Sequence, residues 1–195
     1  MTQPPPNSIH PATLAAWRAW LAEHHTQPDG VWLLTYRRAT GKATFTYEQA
    51  VEEALCFGWI DGQAKTLDDE WGMQWFAPRR PGSVWARSNK ERVARLIADG
   101  RMTPAGLAKI EAAKADGSWA LLESVDKLEV PDDLAAALAQ YPTARANFDA
   151  FPPSARHAIL GWIALAKRPE TRAKRIAETA RLAQDNVRAN QPRPG

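Results

Sequence analysis

The 195-residue sequence contains one cysteine, Cys56, and therefore cannot form a disulfide within a single chain. This fits a reducing compartment, because disulfides persist mainly in oxidising ones. The sequence also has no run of about 18 to 20 apolar residues, the length that a helix needs to cross a bilayer. Its N-terminus lacks a basic start followed by an apolar stretch, so we predict no signal peptide and a cytoplasmic location.

The usual motifs of catalytic and metal sites are also missing. There is no G-x-S-x-G, G-x-G-x-x-G, Walker loop or H-E-x-x-H. His24 and His25 are adjacent and cannot both face one metal from a regular helix. Cys56 lies between Leu55 and Phe57, which is typical of a small buried side chain. We therefore expect no metal, no cofactor and a non-enzymatic protein.

The composition is that of a folded globular protein, with 45% hydrophobic and 24% charged residues. Tryptophan is unusually frequent, at nine residues. Each indole can bury a large apolar area while keeping one N–H donor. This content predicts either a core built from tryptophan or an aromatic-lined groove.

The net charge of +3 conceals four blocks of alternating sign. Residues 1–78 carry −4 and residues 79–101 carry +5, whereas residues 102–166 carry −3 and residues 167–195 carry +5. Positive charge is thus concentrated in two segments. Such asymmetry suggests a surface that binds an anionic partner.

Hydrophobic periodicity and capping signals predict a helix-rich α+β protein. We predict a disordered N-terminus at residues 1–10, an α+β domain at 11–118, a linker at 119–130 and a helical unit at 131–191. The predicted strands are residues 31–38 and a hairpin within 59–77. Capping signals predict helices that begin near Pro11, Thr46, Ser88, Thr103 and Pro131, followed by helices at 143–150, 153–166 and 169–189.

Several sequence segments together resemble the YdeI/OmpD-associated family, also called bacteriocin-protection proteins. The N-terminal segments are ALCFGWIDG at 54–62, PRRPGSVW at 78–85 and GRMTPAG at 100–106. The C-terminal segments are FPPS at 151–154, WI at 162–163 and AKRPETRAKRI at 166–176. The matches run in order from about residue 30 to residue 185.

The resemblance implies a role in stress or antimicrobial-peptide resistance and gives no defined reaction. The family's N-terminal part is similar to the YjbR/CyaY-like group, which implies a small antiparallel sheet flanked by helices. Some members of that group bind iron or are suspected of binding DNA. Here the first helix offers only Glu23 where an acidic ridge for iron is expected. The family name suggests the periplasm, whereas the N-terminal sequence predicts the cytoplasm.

Three arginines, Arg168, Arg172 and Arg175, project from one face near the start of the last predicted helix. Free backbone N–H groups at a helix N-terminus also favour an anion. Two interpretations remain open. The guanidinium groups either bind an anion or pair with acidic residues of the first domain, such as Asp61 or Asp68, and so dock the helical unit.

A second group of residues is predicted to line one cleft if the hairpin folds back. These candidates are Trp59, Asp61, Arg79, Arg80, Trp85, Asn89 and Arg101. Aromatic and arginine side chains together can stack on and clamp a nucleotide, a single strand or a planar carboxylate. The alternative is a tryptophan-filled core in which Asp61 pairs with Arg79 or Arg80.

Two functional hypotheses follow. The first is a non-enzymatic resistance accessory protein that binds an anionic partner, nucleic acid included, through the arginines listed above. The second is an enzyme or small-ligand receptor with a pocket around Asp61. A protein is a third kind of partner that the sequence allows. The sequence does not determine the oligomeric state.

Overall fold

The structure, a computed structural model, describes residues 3–191. The chain forms two compact units that divide between Trp119 and Ala120. In the described residues, the first unit contains a sheet with helices and the second contains helices only. The predicted α+β class with a C-terminal helical region is therefore confirmed.

A four-stranded sheet with the strand order β1-β2-β4-β3 organises the first unit. The strands are β1 Ser8–Ile9, β2 Val31–Tyr36, β3 Trp59–Thr66 and β4 Trp71–Pro78. Strands β3 and β4 form the predicted hairpin, and β2 pairs antiparallel with β4. Strand β1 is parallel to β2 at the sheet edge. The sheet is thus small and largely antiparallel, as expected.

The predicted disorder of residues 1–10 is wrong at the end of that segment. Ser8 and Ile9 pair with Trp32 and Leu33 of strand β2. The carbonyl of Asn7 also accepts a hydrogen bond from the Trp32 N–H. Ile9 packs against the core of the first unit. Two residues are too few to show strand periodicity, so the sequence signal for this edge strand is weak.

Most helices of the first unit begin close to their predicted positions. They are α1 Leu14–His24, α2 Tyr47–Cys56, α3 Arg87–Ala98 and α4 Pro104–Ala115, with a short 3₁₀ turn at Arg38–Thr40. Thr46 and Gln49 form the predicted capping box, and Thr103 caps α4. The capping box predicted at Ser88 does not form, because the N-cap of α3 is Ala86, which makes no side-chain cap.

One face of the sheet packs against the helices to form the first core. Strand alternation places Leu33, Trp59 and Phe76 on that face. These side chains are at most 1% exposed and share the core with Trp17 and Trp85. The core interpretation of the tryptophan content therefore holds for these three indoles.

The opposite face of the sheet carries a separate aromatic cluster. The rings of Tyr36 and Trp71 stack with centroids 3.9 Å apart, and Trp32 meets Trp75 edge to face at 5.2 Å. A Cβ at Gly30 would lie 2.5 Å from the Trp75 ring, so only glycine leaves room for it. These half-buried rings belong to neither buried core.

The second unit packs short helices around its own core. They are α5 Glu123–Asp126, α6 Asp132–Leu138, α7 Ala144–Ala150, α8 Pro153–Ala164 and α9 Pro169–Gln184. Segment 119–130, predicted as a linker, contains α5 and contributes the buried Val125 to this core. Helix α9 ends five residues before the predicted boundary at 189.

A pair of glycines tests the close packing of α4 on the end of α2. A Cβ at Gly106 would lie 2.4 Å from the Cys56 carbonyl oxygen, whereas a Cβ at Gly161 in α8 would make only an ordinary contact with Val125 at 3.7 Å. We expect Gly106→Ala to lower the free energy of unfolding by about 1–3 kcal/mol. Urea unfolding followed by far-ultraviolet circular dichroism measures this change.

The matched control is Gly161→Ala, which replaces glycine by alanine in a helix with free space. It should raise the stability by up to about 1 kcal/mol, because alanine loses less backbone entropy than glycine. Equal effects of the two substitutions would contradict the close contact at Gly106.

Candidate anion-binding site

The segment that leaves strand β4 forms a tight turn. Pro81 and Gly82 occupy its two central positions, and the Ser83 N–H donates to the Arg80 carbonyl at 3.1 Å. Gly82 has a φ of 70°, which is the left-handed conformation that the third residue of a type II turn requires. Proline favours the position before it. The local sequence therefore fixes the turn that follows Arg79.

Arg79 is the most deeply buried arginine of the candidate set, with 3% of its surface exposed. Its guanidinium carbon lies 3.5 Å from the centre of the Trp85 ring, a close cation–π contact. Its Nη1 donates to the Val84 carbonyl at 3.3 Å, and its backbone N–H donates to the Gly58 carbonyl at 3.0 Å. These contacts hold the side chain in one orientation.

The remaining nitrogens of this guanidinium, Nε and Nη2, are buried and have no hydrogen-bond partner within the described residues. They share the edge that forms two parallel bonds to a carboxylate or phosphate. Two other arginines use this edge on a carboxylate. Arg92 binds Glu48 at 2.7 and 2.6 Å, and Arg172 binds Asp133 at 2.8 and 2.9 Å. Arg79 presents the same edge without a protein acceptor.

The electrostatics of Arg79 reflect this lack of a paired carboxylate. Burial lowers the pKa of its guanidinium to about 10, and the negative charge of Asp61 acts in the opposite direction without forming an ion pair. A buried charge that lacks a partner is costly to the folded state. An anion bound at the free edge would offset this cost.

A small cavity of about 50 Å³ lies beside Arg79. Its walls are formed by Arg80, Pro81, Gly82, Ser83, Trp85, Lys109, Ala112, Ala113, Asp116 and Ser118. Ser118 is 6% exposed, and its side chain interacts with the Asp116 carboxylate, whose pKa it lowers. Arg79 therefore lines this cavity with buried polar atoms that lack a partner in the described part of the chain.

Asp116, just after helix α4, ties the turn to the rest of the cavity. Its carboxylate accepts hydrogen bonds from the Gly82 N–H and the Ser118 N–H, each at 2.9 Å. The backbone donors of the turn and of the α4 end are therefore already used. The cavity's free donors are side chains.

Asp61 has a different partner from the one expected. Its Oδ2 accepts a hydrogen bond from the Tyr47 hydroxyl at 2.5 Å and forms no ion pair with Arg79 or Arg80. Burial, together with this carboxylate, raises the pKa of Tyr47 to about 12. Trp59 is fully buried and donates its indole N–H to the His25 carbonyl. The predicted pocket around Asp61 is therefore not assembled from these groups.

Arg101 belongs to an ion-pair network on helix α2. It binds Glu52 at 3.0 Å and Glu53 at 2.8 Å, and Arg18 binds the second oxygen of Glu53 at 2.5 Å. Glu53 is only 5% exposed, so its carboxylate is buried within this network. Asn89, 9% exposed, likewise accepts a hydrogen bond inside the protein. The charges of Arg18, Arg101 and Glu53 are therefore paired within the first unit.

The C-terminal arginines are also largely occupied within the second unit. Arg172 pairs with Asp133, while Arg175 donates to the Trp162 carbonyl and lies 4.9 Å from the Trp162 ring. Arg168 is exposed at the N-cap of α9. The contact of Arg172 with Asp133 takes the place of the expected pairing with Asp61 or Asp68.

Three of the candidate residues therefore meet at one cavity: Arg79, Arg80 and Trp85. Sequence reasoning missed Asp116 and Ser118. The sequence Asp-Gly-Ser is a recognisable turn signal, because aspartate often accepts a hydrogen bond from the N–H two residues later. Its proximity to Gly82, 34 residues away in sequence, has no local signal.

Comparison with protein-family models matches most of the first unit to one family. Residues 9–109 match a family described as "Domain of unknown function (DUF8412)". This match covers just over half of the chain. The chain belongs to the DUF8412 family. Arg79, Arg80, Trp85 and Lys109 lie inside the DUF8412 match, whereas Asp116 and Ser118 follow it.

The C-terminal helices match a second model. Residues 127–186 correspond to the family described as "Bacteriocin-protection, YdeI or OmpD-Associated", which confirms that part of the resemblance. The similarity of the DUF8412 region to the YjbR/CyaY-like group stays a prediction. The search of curated proteins and the search of solved structures each found no match.

None of the helices in residues 3–191 combines the length and apolar character needed to cross a bilayer. Within the same residues, no group of three or more histidine, cysteine, aspartate or glutamate side chains is arranged to hold a metal ion.

Glu53 provides a test of the ion-pair network. We expect Glu53→Gln to lower the free energy of unfolding by about 3–5 kcal/mol, because it removes the shared partner of Arg18 and Arg101 in a buried setting. Urea unfolding followed by tryptophan fluorescence measures the change in the first unit.

A second glutamate supplies the matched control for this substitution. Glu111→Gln breaks an exposed pair with Lys114 on α4 and should cost only about 0.2–0.5 kcal/mol. A comparably small effect at Glu53 would show that the buried network contributes little.

Proposed function

We propose that this protein is a non-enzymatic accessory protein in stress or antimicrobial-peptide resistance and that it acts by binding an anionic partner. Residues 127–186 match a family described as bacteriocin-protection proteins, and this description supports the resistance role. The first unit supplies the binding site, and Arg79 is the residue that receives the anionic group. A cytoplasmic location remains part of this proposal.

The observation that carries this proposal is the unpaired guanidinium edge of Arg79. A folded protein normally pairs a buried charge, because removing an ion from water without compensation costs several kcal/mol. In the same unit Arg92 meets this requirement through Glu48, and Arg101 through Glu52 and Glu53. Arg79 meets the same requirement when an anion from outside the chain pairs with its guanidinium.

A small anionic group fits these contacts better than a nucleic-acid backbone does. Nucleic-acid binding depends on several accessible lysine and arginine side chains that neutralise phosphates together. Of the six predicted arginines, Arg101 and Arg172 are paired with carboxylates and Arg79 is buried. Arg175 is half-buried and donates to the Trp162 carbonyl, so Arg80 and Arg168 are the exposed members of the set.

The proposal predicts an anion-dependent stability that requires Arg79. Thermal unfolding is measured by circular dichroism in sodium acetate, phosphate or sulfate and compared with sodium chloride at equal ionic strength. At least one of the three anions should raise the melting temperature of the wild type above that in chloride, because ligands that bind only the folded state stabilise it. Arg79→Met should abolish this increase.

Arg38→Met is the matched control, since it removes the same charge from an exposed position of the first unit that does not line the cavity. It should keep the anion effect. In chloride, Arg79→Met should be at least as stable as the wild type, because it removes a buried unpaired charge. Equal responses of wild type and Arg79→Met would contradict the proposal.

Labelled DNA and RNA, titrated at two salt concentrations, form the nucleic-acid arm of the experiment. Binding that falls with salt by a log-log slope of about −0.7 to −0.9 per phosphate, and that survives Arg79→Met, would favour a nucleic-acid partner instead.

A further inference from the structure

We infer that the group received at Arg79 is a carboxylate rather than a phosphate or sulfate. This inference rests on the proposed anion binding at Arg79 and specifies the chemistry of the ligand. It follows from the unpaired donors of Arg79, which lines the cavity, from the cavity's size and from its apolar walls.

The free donors match the two oxygens of a carboxylate. Nε and Nη2 of Arg79 lie on one edge, and this edge pairs in parallel with the two oxygens of a planar carboxylate. Arg92 and Arg172 form this arrangement with carboxylates of the chain itself.

A tetrahedral anion lacks the donors that it usually needs. Phosphate and sulfate sites commonly use backbone N–H groups at a turn or a helix N-terminus. Here the N–H groups of Gly82 and Ser118 both donate to Asp116, and the Ser83 N–H donates to the Arg80 carbonyl. The Asp116 carboxylate also adds a negative charge to the cavity wall, which disfavours a dianion.

The cavity is small and partly apolar. A volume of about 50 Å³ holds about three to five water-sized groups, since each needs roughly 10–15 Å³ on this scale. Trp85, Ala112 and Ala113 form apolar parts of the wall. The cavity therefore suits a carboxylate attached to a short apolar body.

Entry of this group requires a local movement, because Nε and Nη2 are buried. The turn formed by Arg80, Pro81, Gly82 and Ser83 lines the cavity, and the Gly82–Asp116 hydrogen bond joins it to the end of α4. Displacement of this turn gives a ligand access to Arg79.

Two sources can supply such a carboxylate: a small aliphatic acid or the C-terminal carboxylate of a peptide. Apparent dissociation constants are obtained from the dependence of the melting temperature on ligand concentration. The probes are acetate, butyrate, phosphate, sulfate and an apolar tetrapeptide with either a free or an amidated C-terminus. Sodium chloride keeps the ionic strength constant.

We expect acetate and butyrate to bind the wild type at least about tenfold more tightly than phosphate or sulfate. The edge pairs with both oxygens of a carboxylate, whereas phosphate and sulfate carry further oxygens that find no free N–H group of Gly82, Ser83 or Ser118 here. Arg79→Lys keeps the positive charge but cannot form two parallel bonds. It should reduce this preference by about tenfold while the protein unfolds cooperatively, as circular dichroism will show.

Tighter binding of the free tetrapeptide than of butyrate identifies a peptide terminus as the source, and the reverse order identifies a small acid. Both results support the inference, whereas equal binding of the amidated peptide contradicts it. Arg79-dependent binding of phosphate or sulfate that equals carboxylate binding overturns the carboxylate inference alone. If none of the anions binds, the proposed function fails as well.

Discussion

The stacking of the Arg79 guanidinium on Trp85 is the interaction around which the cavity of the first unit is organised. It fixes a cation in a buried position, and burial lowers its pKa to about 10. The Pro81–Gly82 turn follows directly, and Asp116 anchors that turn to the end of α4. Changes in any of these parts would alter the surroundings of one free hydrogen-bonding edge.

The other arginines show why positive charge in a sequence is not equivalent to a positive surface. Residues 79–101 carry a net charge of +5, yet Arg92, Arg95 and Arg101 pair with glutamates of helix α2. The neighbouring acidic and basic blocks of the sequence thus neutralise each other across helices α2 and α3. This pairing removes most of the surface charge that a large polyanion would need, while the buried Arg79 keeps its unpaired edge.

Local signals predicted much of the fold. The Thr46 and Thr103 caps are formed as expected, and strands β3 and β4 form the hairpin predicted within residues 59–77. Helix α3 differs because its first turn begins at Arg87 without a side-chain cap. Edge strand β1 was missed because a two-residue strand is stabilised by its pairing with β2 and by the packing of Ile9, which are long-range contacts.

The site was predictable only in part, for the same reason. Arg79, Arg80 and Trp85 are close in sequence, so their proximity follows from the turn between them. Asp116 and Ser118 approach the turn through tertiary packing, and burial of Glu53 depends on contacts with Arg18 and Arg101. Such contacts leave no periodic signal in the sequence.

The most direct test is nitrogen-15 NMR of the arginine side chains during a butyrate titration. The Nε–H resonance that disappears in Arg79→Met should move downfield and saturate, because a new charge-assisted hydrogen bond forms at that proton. The corresponding resonance of Arg172, already bound to Asp133, should stay in place. An Arg79 resonance that remains unchanged in excess butyrate would contradict the account.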